Sequence, residues 1–167
     1  METLTTNYVA RAEIWLCATT LIYFLMNGAQ IFETLVFVPK WASFPPNHFK
    51  LLLDGNGTSL KNFWIIFHSL HEVIFILTIL FCWKIDPVRN WLLVLFILHI
   101  AVRVWTLTFF APNIILFQKI AESQTVPANL ISKVSLWQKL NCVRVAIFII
   151  ISCGLIPLCV KLFSFRS

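Results

Sequence analysis

The chain has 167 residues, of which 59% are hydrophobic and only 12% charged, and its mean hydropathy is +0.85. That balance excludes an ordinary water-soluble domain, and the length allows one domain. The net charge of +6 does not imply nucleic-acid binding, because the Lys and Arg residues are dispersed and read as anchors at a lipid bilayer. Five cysteines, an odd count without a C-x-x-C pair, leave no reactive dithiol and read as small hydrophobes.

A transmembrane helix needs about 20 predominantly apolar residues. The first such run extends from about residue 14 to 38, stopped by Pro39, Lys40 and Trp41. It is too long for a signal peptide and carries Asn27, Gln30 and Glu33 in its second half. The second runs from about 62 to 83 and ends at Lys84-Ile85-Asp86-Pro87. The third runs from about 90 to 117 with Pro112 inside it, where a kink is expected. The fourth covers about 133 to 165, and Pro157 should bend it. Tryptophan favours the membrane boundary, and Trp15, Trp41, Trp64, Trp83, Trp91 and Trp137 fall at span ends, with Trp105 deep.

The expected fold is therefore all-α, an integral membrane four-helix bundle in a single transmembrane domain, with both termini on one side. The terminal face includes the tight Lys84–Arg89 turn and is denser in basic residues. The positive-inside rule then puts the termini in the cytoplasm of a multi-pass protein, with the plasma membrane as the expected location. The sequon Asn56-Gly57-Thr58 falls on the opposite side, too short a match to decide orientation.

Polar residues at membrane depth carry the functional signal. Asn27, Gln30, Glu33 and Thr34 share about a third of the first helix's circumference. His68, His71 and Glu72 share a face of the second. His99, Arg103, Thr106 and Asn113 form a stripe on the third, and Trp137, Asn141 and Arg144 one on the fourth. Given alternating chain direction, all four sets lie towards the half of the bilayer opposite the termini, which implies one shared pocket there. An ionised group near the bilayer centre costs about 2.5–3.5 kcal/mol, so Glu33, Glu72, Arg103 and Arg144 must face inward and find partners. They balance in charge, and a structural network that fixes helix register is the alternative to a functional site.

Three chemistries fit the cluster. His68 and His71, three residues apart, with His99 and Glu72 form a candidate site for iron, copper or zinc. Haem held by His99 and one of His68 or His71 is the second. The third needs no cofactor: a histidine takes a proton from an apolar phenolic substrate, and Arg103 or Arg144 stabilises the anion, while Glu33 binds a metal or handles protons. The candidate catalytic residues are thus His68, His71, His99, Glu33, Arg103 and Arg144. Asn27, Gln30, Trp105, Asn113, Trp137 and Asn141 are the candidate substrate contacts. His48, beside Pro45-Pro46, reads as a solvated loop residue or a guard at the entrance, and Lys119, Lys133 and Lys139 as snorkelling anchors.

Several landmarks occur in a familiar order: Asn27-Gly28-Ala29-Gln30-Ile31-Phe32-Glu33, Val38-Pro39-Lys40-Trp41, Ala111-Pro112-Asn113, and Trp137 followed by Asn141 and Arg144. This order resembles the small four-helix membrane proteins that include fungal anthrone oxygenases. The resemblance implies a four-helix bundle and, for some members, oxygenation of anthrones to anthraquinones without a well-defined cofactor. It points to Gly28, Pro39, Pro112, Asn113, Trp137, Asn141 and Arg144, with Asn141 standing where many relatives carry histidine. The expected function is a membrane-embedded oxygenase or oxidoreductase acting on a small apolar, aromatic or isoprenoid substrate. The alternative is a proton- or ion-conducting or partner-binding subunit, for which four short helices would assemble as a homo-oligomer.

Overall fold

The computed structural model describes residues 6–53, 61–123 and 126–165; the sequon at 56–58 lies outside them. Among the described residues all regular structure is helical: α1 (Thr6–Phe32), α2 (Val38–Ala42), α3 (Lys61–Phe81), α4 (Asp86–Trp105), α5 (Ala111–Ser123) and α6 (Leu130–Phe163), with a 3₁₀ helix at Asn47–Leu52. Four continuous helical stretches are long and apolar enough to cross a membrane: Asn7–Ala42, Lys61–Phe81, Asp86–Ser123 and Leu130–Phe163. The chain is an all-α integral membrane protein, and four crossings return both ends of the described chain to one side.

The first and third stretches are longer than the apolar runs suggest, for a shared reason. Proline lacks an N–H, and its ring crowds the carbonyl four residues back. Here each of Pro39 and Pro112 is preceded by one π-helical segment, Glu33–Phe37 and Thr106–Phe110. The N–H of Val38 bonds the carbonyl of Glu33, and that of Ala111 the carbonyl of Thr106, five residues back in both cases. Widening the helix by one residue just before the proline relieves the crowding, so the helix continues. Pro39 therefore does not stop the first helix, which reaches Ala42. Pro112 follows such a widened turn in the same way. The third stretch also starts earlier than expected, at Asp86, because Pro87 falls in the first turn, where its missing N–H costs no bond. Pro157 lies within the unbroken α6.

The chain divides into two compact units. The first comprises Met1–Asn27, Ile65–Ile100 and Phe148–Ser167; the second comprises Gly28–Trp64 and Ala101–Ile147.

In the first unit, polar side chains join helices where lipid offers no competing water. Thr19 and Thr78 share a 2.7 Å hydrogen bond, and the Thr78 hydroxyl also lies 2.9 Å from the Trp15 carbonyl. Trp15 stacks on Phe81 at 5.3 Å. Gly154 lets α6 approach α4 closely, since a Cβ there would meet Leu95 Cδ2 at 3.0 Å.

The second unit has an aromatic core of Trp41, Phe49, Phe110, Phe117 and Trp137, with Val38, Leu52 and Val134 around it. Trp41 meets Trp137 edge to face at 5.2 Å, and Phe49 stacks on Phe117 at 5.0 Å. Trp41 and Trp137 are only 1% and 4% exposed, so they are core residues and not boundary anchors. Trp83 and Trp91, 51% and 60% exposed, do face outward as anchors should. Position near a span end is the same for all four; the helical continuation past Pro39 is what carries Trp41 inward.

Candidate functional site

The sequence-predicted site residues fall into two sets, one in each unit.

The first unit gathers the histidines around a tyrosine that the sequence reading missed. Tyr23 is fully buried, and its hydroxyl lies 2.9 Å from Nδ1 of His99. The edge of His71 meets the same phenol ring at 4.4 Å, and the His71 and His99 rings are 5.0 Å apart. Phe75, Phe96 and Phe148 close the surround. His68, also buried, lies against Phe148 at 6.5 Å. Tyr23 is four residues before Asn27 and therefore on the same helical face as Asn27, Gln30 and Thr34, the spacing that would have identified it. Asn27 donates to Ser152 at 2.7 Å and to the Phe148 carbonyl at 3.3 Å, while its buried Oδ1 meets no partner among the described residues. Glu72 is half-buried on α3.

A tyrosine hydroxyl bonded to an imidazole is a proton-handling pair: either group can be the donor, depending on the tautomer. As a metal centre the arrangement finds no support. Among the described residues no three His, Cys, Asp or Glu side chains are grouped to hold an ion.

The second unit gathers Glu33, Arg103, Asn141 and Arg144. Glu33 accepts a side-chain hydrogen bond from Trp64 and feels the charge of Arg144. Arg144 in turn feels both Glu33 and Arg103, one opposite and one like charge. Its Nη2 donates to Asn141 Oδ1 at 2.6 Å, and the Asn141 amide donates to Thr34 Oγ1 at 2.9 Å. The guanidinium sits 4.4 Å above the ring of Phe110, a cation–π contact that fixes its plane. Two polar atoms of this unit are buried without a hydrogen-bond partner among the described residues: Arg144 Nε, a donor, and Gln30 Oε1, an acceptor. An unmet guanidinium N–H in a desolvated setting is a strong anion-binding group. Phe110 and Trp64 had no place in the sequence-derived site, yet they orient the two opposite charges.

The remaining candidates serve the helix itself. Asn113 donates to the Phe109 carbonyl at 2.7 Å, within the stretch that Pro112 disturbs. Trp137 donates from Nε1 to the Phe110 carbonyl at 3.3 Å and packs in the aromatic core. Trp105 is half-buried and meets Phe110 edge to face at 5.1 Å. Gly28, a landmark of the resemblance, is not a close-packing position, since a Cβ there would meet nothing within 4 Å.

No family model matches the sequence, and neither a curated protein nor a solved structure matches it.

Proposed function

We propose that the chain is a membrane-embedded enzyme of the oxygenase or oxidoreductase type, acting on an apolar, weakly acidic substrate in its second unit. The observation that carries this reading is Arg144, half-buried but with a buried, unmet Nε donor, its guanidinium held in plane by Asn141 and Phe110 beside the carboxylate of Glu33.

The chemistry follows from these groups. Glu33, oriented by Trp64, takes a proton from an activated methylene or a phenol. Arg144, with Arg103 as a second cation, lowers the energy of the anion that forms. The low-polarity surround strengthens that attraction relative to water. Gln30, with its unmet acceptor, orients a donor on the substrate. An anion stabilised in this way is electron-rich enough to react with dioxygen. For an activated methylene the balanced outcome is a carbonyl and one water from the methylene and one dioxygen, with the proton on Glu33 returned as the peroxide breaks down. The landmarks shared with anthrone oxygenases favour a polycyclic aromatic methylene as the substrate class. No metal is required for this sequence of steps.

The second reading is proton conduction, favoured by the Tyr23–His99 pair and the adjoining His71 in the first unit. The two are separated by offering detergent-solubilised protein a panel of anthrones and isoprenoid hydroquinones under labelled dioxygen. The enzyme reading expects catalysed dioxygen uptake, one labelled oxygen in the product carbonyl of a methylene substrate, and loss of about 10²-fold or more in rate for Glu33→Gln. Uptake by none of them, together with proton flux in liposomes that disappears in Tyr23→Phe, transfers the assignment to conduction.

A further inference from the structure

The cysteines read from the sequence as separate small hydrophobes, yet the first unit gathers three of them. Cys17 on α1 makes a side-chain hydrogen bond with Cys159 on α6. Cys159 is also close enough to Cys82, just past the end of α3, for a charge on one to be felt by the other. Thr20, three residues after Cys17 and so on the same face of α1, has its hydroxyl 3.4 Å from Sγ of Cys159. Cys17 is exposed, Cys159 half-buried and Cys82 fully buried.

The protons give this cluster a direction. Thr20 has one hydroxyl proton, and it goes to the Leu16 carbonyl at 2.8 Å. Towards Cys159 the Thr20 oxygen can then only accept, so the Cys159 S–H points at Thr20. The Cys159 sulfur is left to accept from the Cys17 S–H, and its lone pair faces the Cys17 sulfur. A lone pair aimed at a neighbouring sulfur is the arrangement from which a disulfide closes once that neighbour is oxidised. Cys17 is the thiol that a reagent reaches from outside, and Cys159 is the one that completes the bond.

The surface around the pair selects the oxidant. The residues one turn to either side of Cys17 on its face of α1 are Ile14 and Leu21, both exposed. Those one turn to either side of Cys159 on α6 are Ile156 and Phe163, also exposed. An exposed apolar border of this kind on two membrane-crossing helices faces lipid, so a reagent dissolved in the bilayer has access and a charged one does not. A quinone is an apolar oxidant that takes up two electrons and two protons, the number that two thiols release on forming a disulfide.

We infer that Cys17 and Cys159 form a redox-active pair, oxidised to a disulfide between α1 and α6 by a quinone dissolved in the membrane. Two S–H bonds break and one S–S bond forms; both electrons and both protons pass to the quinone, which leaves as the hydroquinone. The test uses the full-length protein, reduced, in membrane vesicles, treated either with a fully substituted alkyl benzoquinone or with tetrathionate, a charged water-borne thiol oxidant. Mass spectrometry of unreduced digests is expected to show the Cys17 and Cys159 peptides joined after quinone treatment, with one hydroquinone formed per chain. Cys142 and Cys153, both exposed, should remain open to alkylation. Hydroquinone formation should fall by about tenfold or more in Cys17→Ser and in Cys159→Ser. The wild-type linkage is read without any substitution, so a variant that fails to fold does not decide the result. Absence of the linkage, a bond from Cys159 to Cys82 in its place, or equal loss of the Cys142 and Cys153 thiols overturns the pair. Oxidation by tetrathionate as fast as by the quinone overturns the membrane-dissolved oxidant.

Discussion

Replacing Arg144 with methionine is expected to lower turnover by about 10²–10³-fold and to destabilise the protein by about 3–5 kcal/mol. The two losses have different origins. Stability falls because Glu33, still bonded by Trp64, is left without its principal counter-charge. Turnover falls because the anion formed from the substrate loses the guanidinium that faces it. A double replacement, Arg144→Met with Glu33→Gln, separates them. It removes both charges together and should recover most of the stability, since a neutral pair of similar volume is tolerated where an orphaned charge is not. It should recover none of the activity. Thermal unfolding in one detergent and dioxygen uptake on the same samples give both readouts. Equal destabilisation in the single and double variants would mean that Glu33 and Arg144 do not depend on each other.

Trp41→Ala is expected to cost about 3–5 kcal/mol, the range for deleting a large buried aromatic side chain. Trp41 is 1% exposed and touches Phe49, Phe117 and Trp137, so its removal opens a void at the centre of the second unit's core. Trp41→Phe, which keeps a ring in the same place, should cost less than half as much. A boundary anchor would behave differently: Trp91→Ala, at a 60% exposed position, is expected to shift the unfolding midpoint very little. The difference between the midpoints of Trp41→Ala and Trp91→Ala checks the distinction.

That distinction also marks what can be read from the sequence. Span number and helical class follow from run length and apolar content, because a bilayer imposes both. The helical faces were legible too: Asn141 and Arg144 are hydrogen-bonded because residues three or four apart share a face, and His71 and His99 meet because the polar faces of their two helices turn inward. What escaped the sequence depends on neighbours distant along the chain. Tyr23 looks like any aromatic in an apolar run until His99 supplies its partner 76 residues away. Trp64 read as a boundary anchor and Phe110 had no role in the sequence, and only packing puts them against Glu33 and Arg144. Pro39 misled for a different reason. Its effect depends on whether the preceding turn can widen, and the π segment at Glu33–Phe37 permits it. The metal expectation rested on residue types at suitable spacing. Spacing alone does not group ligands, and among the described residues no three are grouped to hold an ion.

Whether Arg144 holds an anion formed from an apolar substrate is read directly by titrating a coloured apolar phenol bound to the protein. An alkyl nitrophenol reports its own ionisation by absorbance. A nearby guanidinium favours the phenolate, so the bound phenol should ionise at a pH about one unit or more below that of the same phenol in empty detergent micelles. The shift should vanish in Arg144→Gln. An identical titration in wild type, variant and micelles would contradict the account.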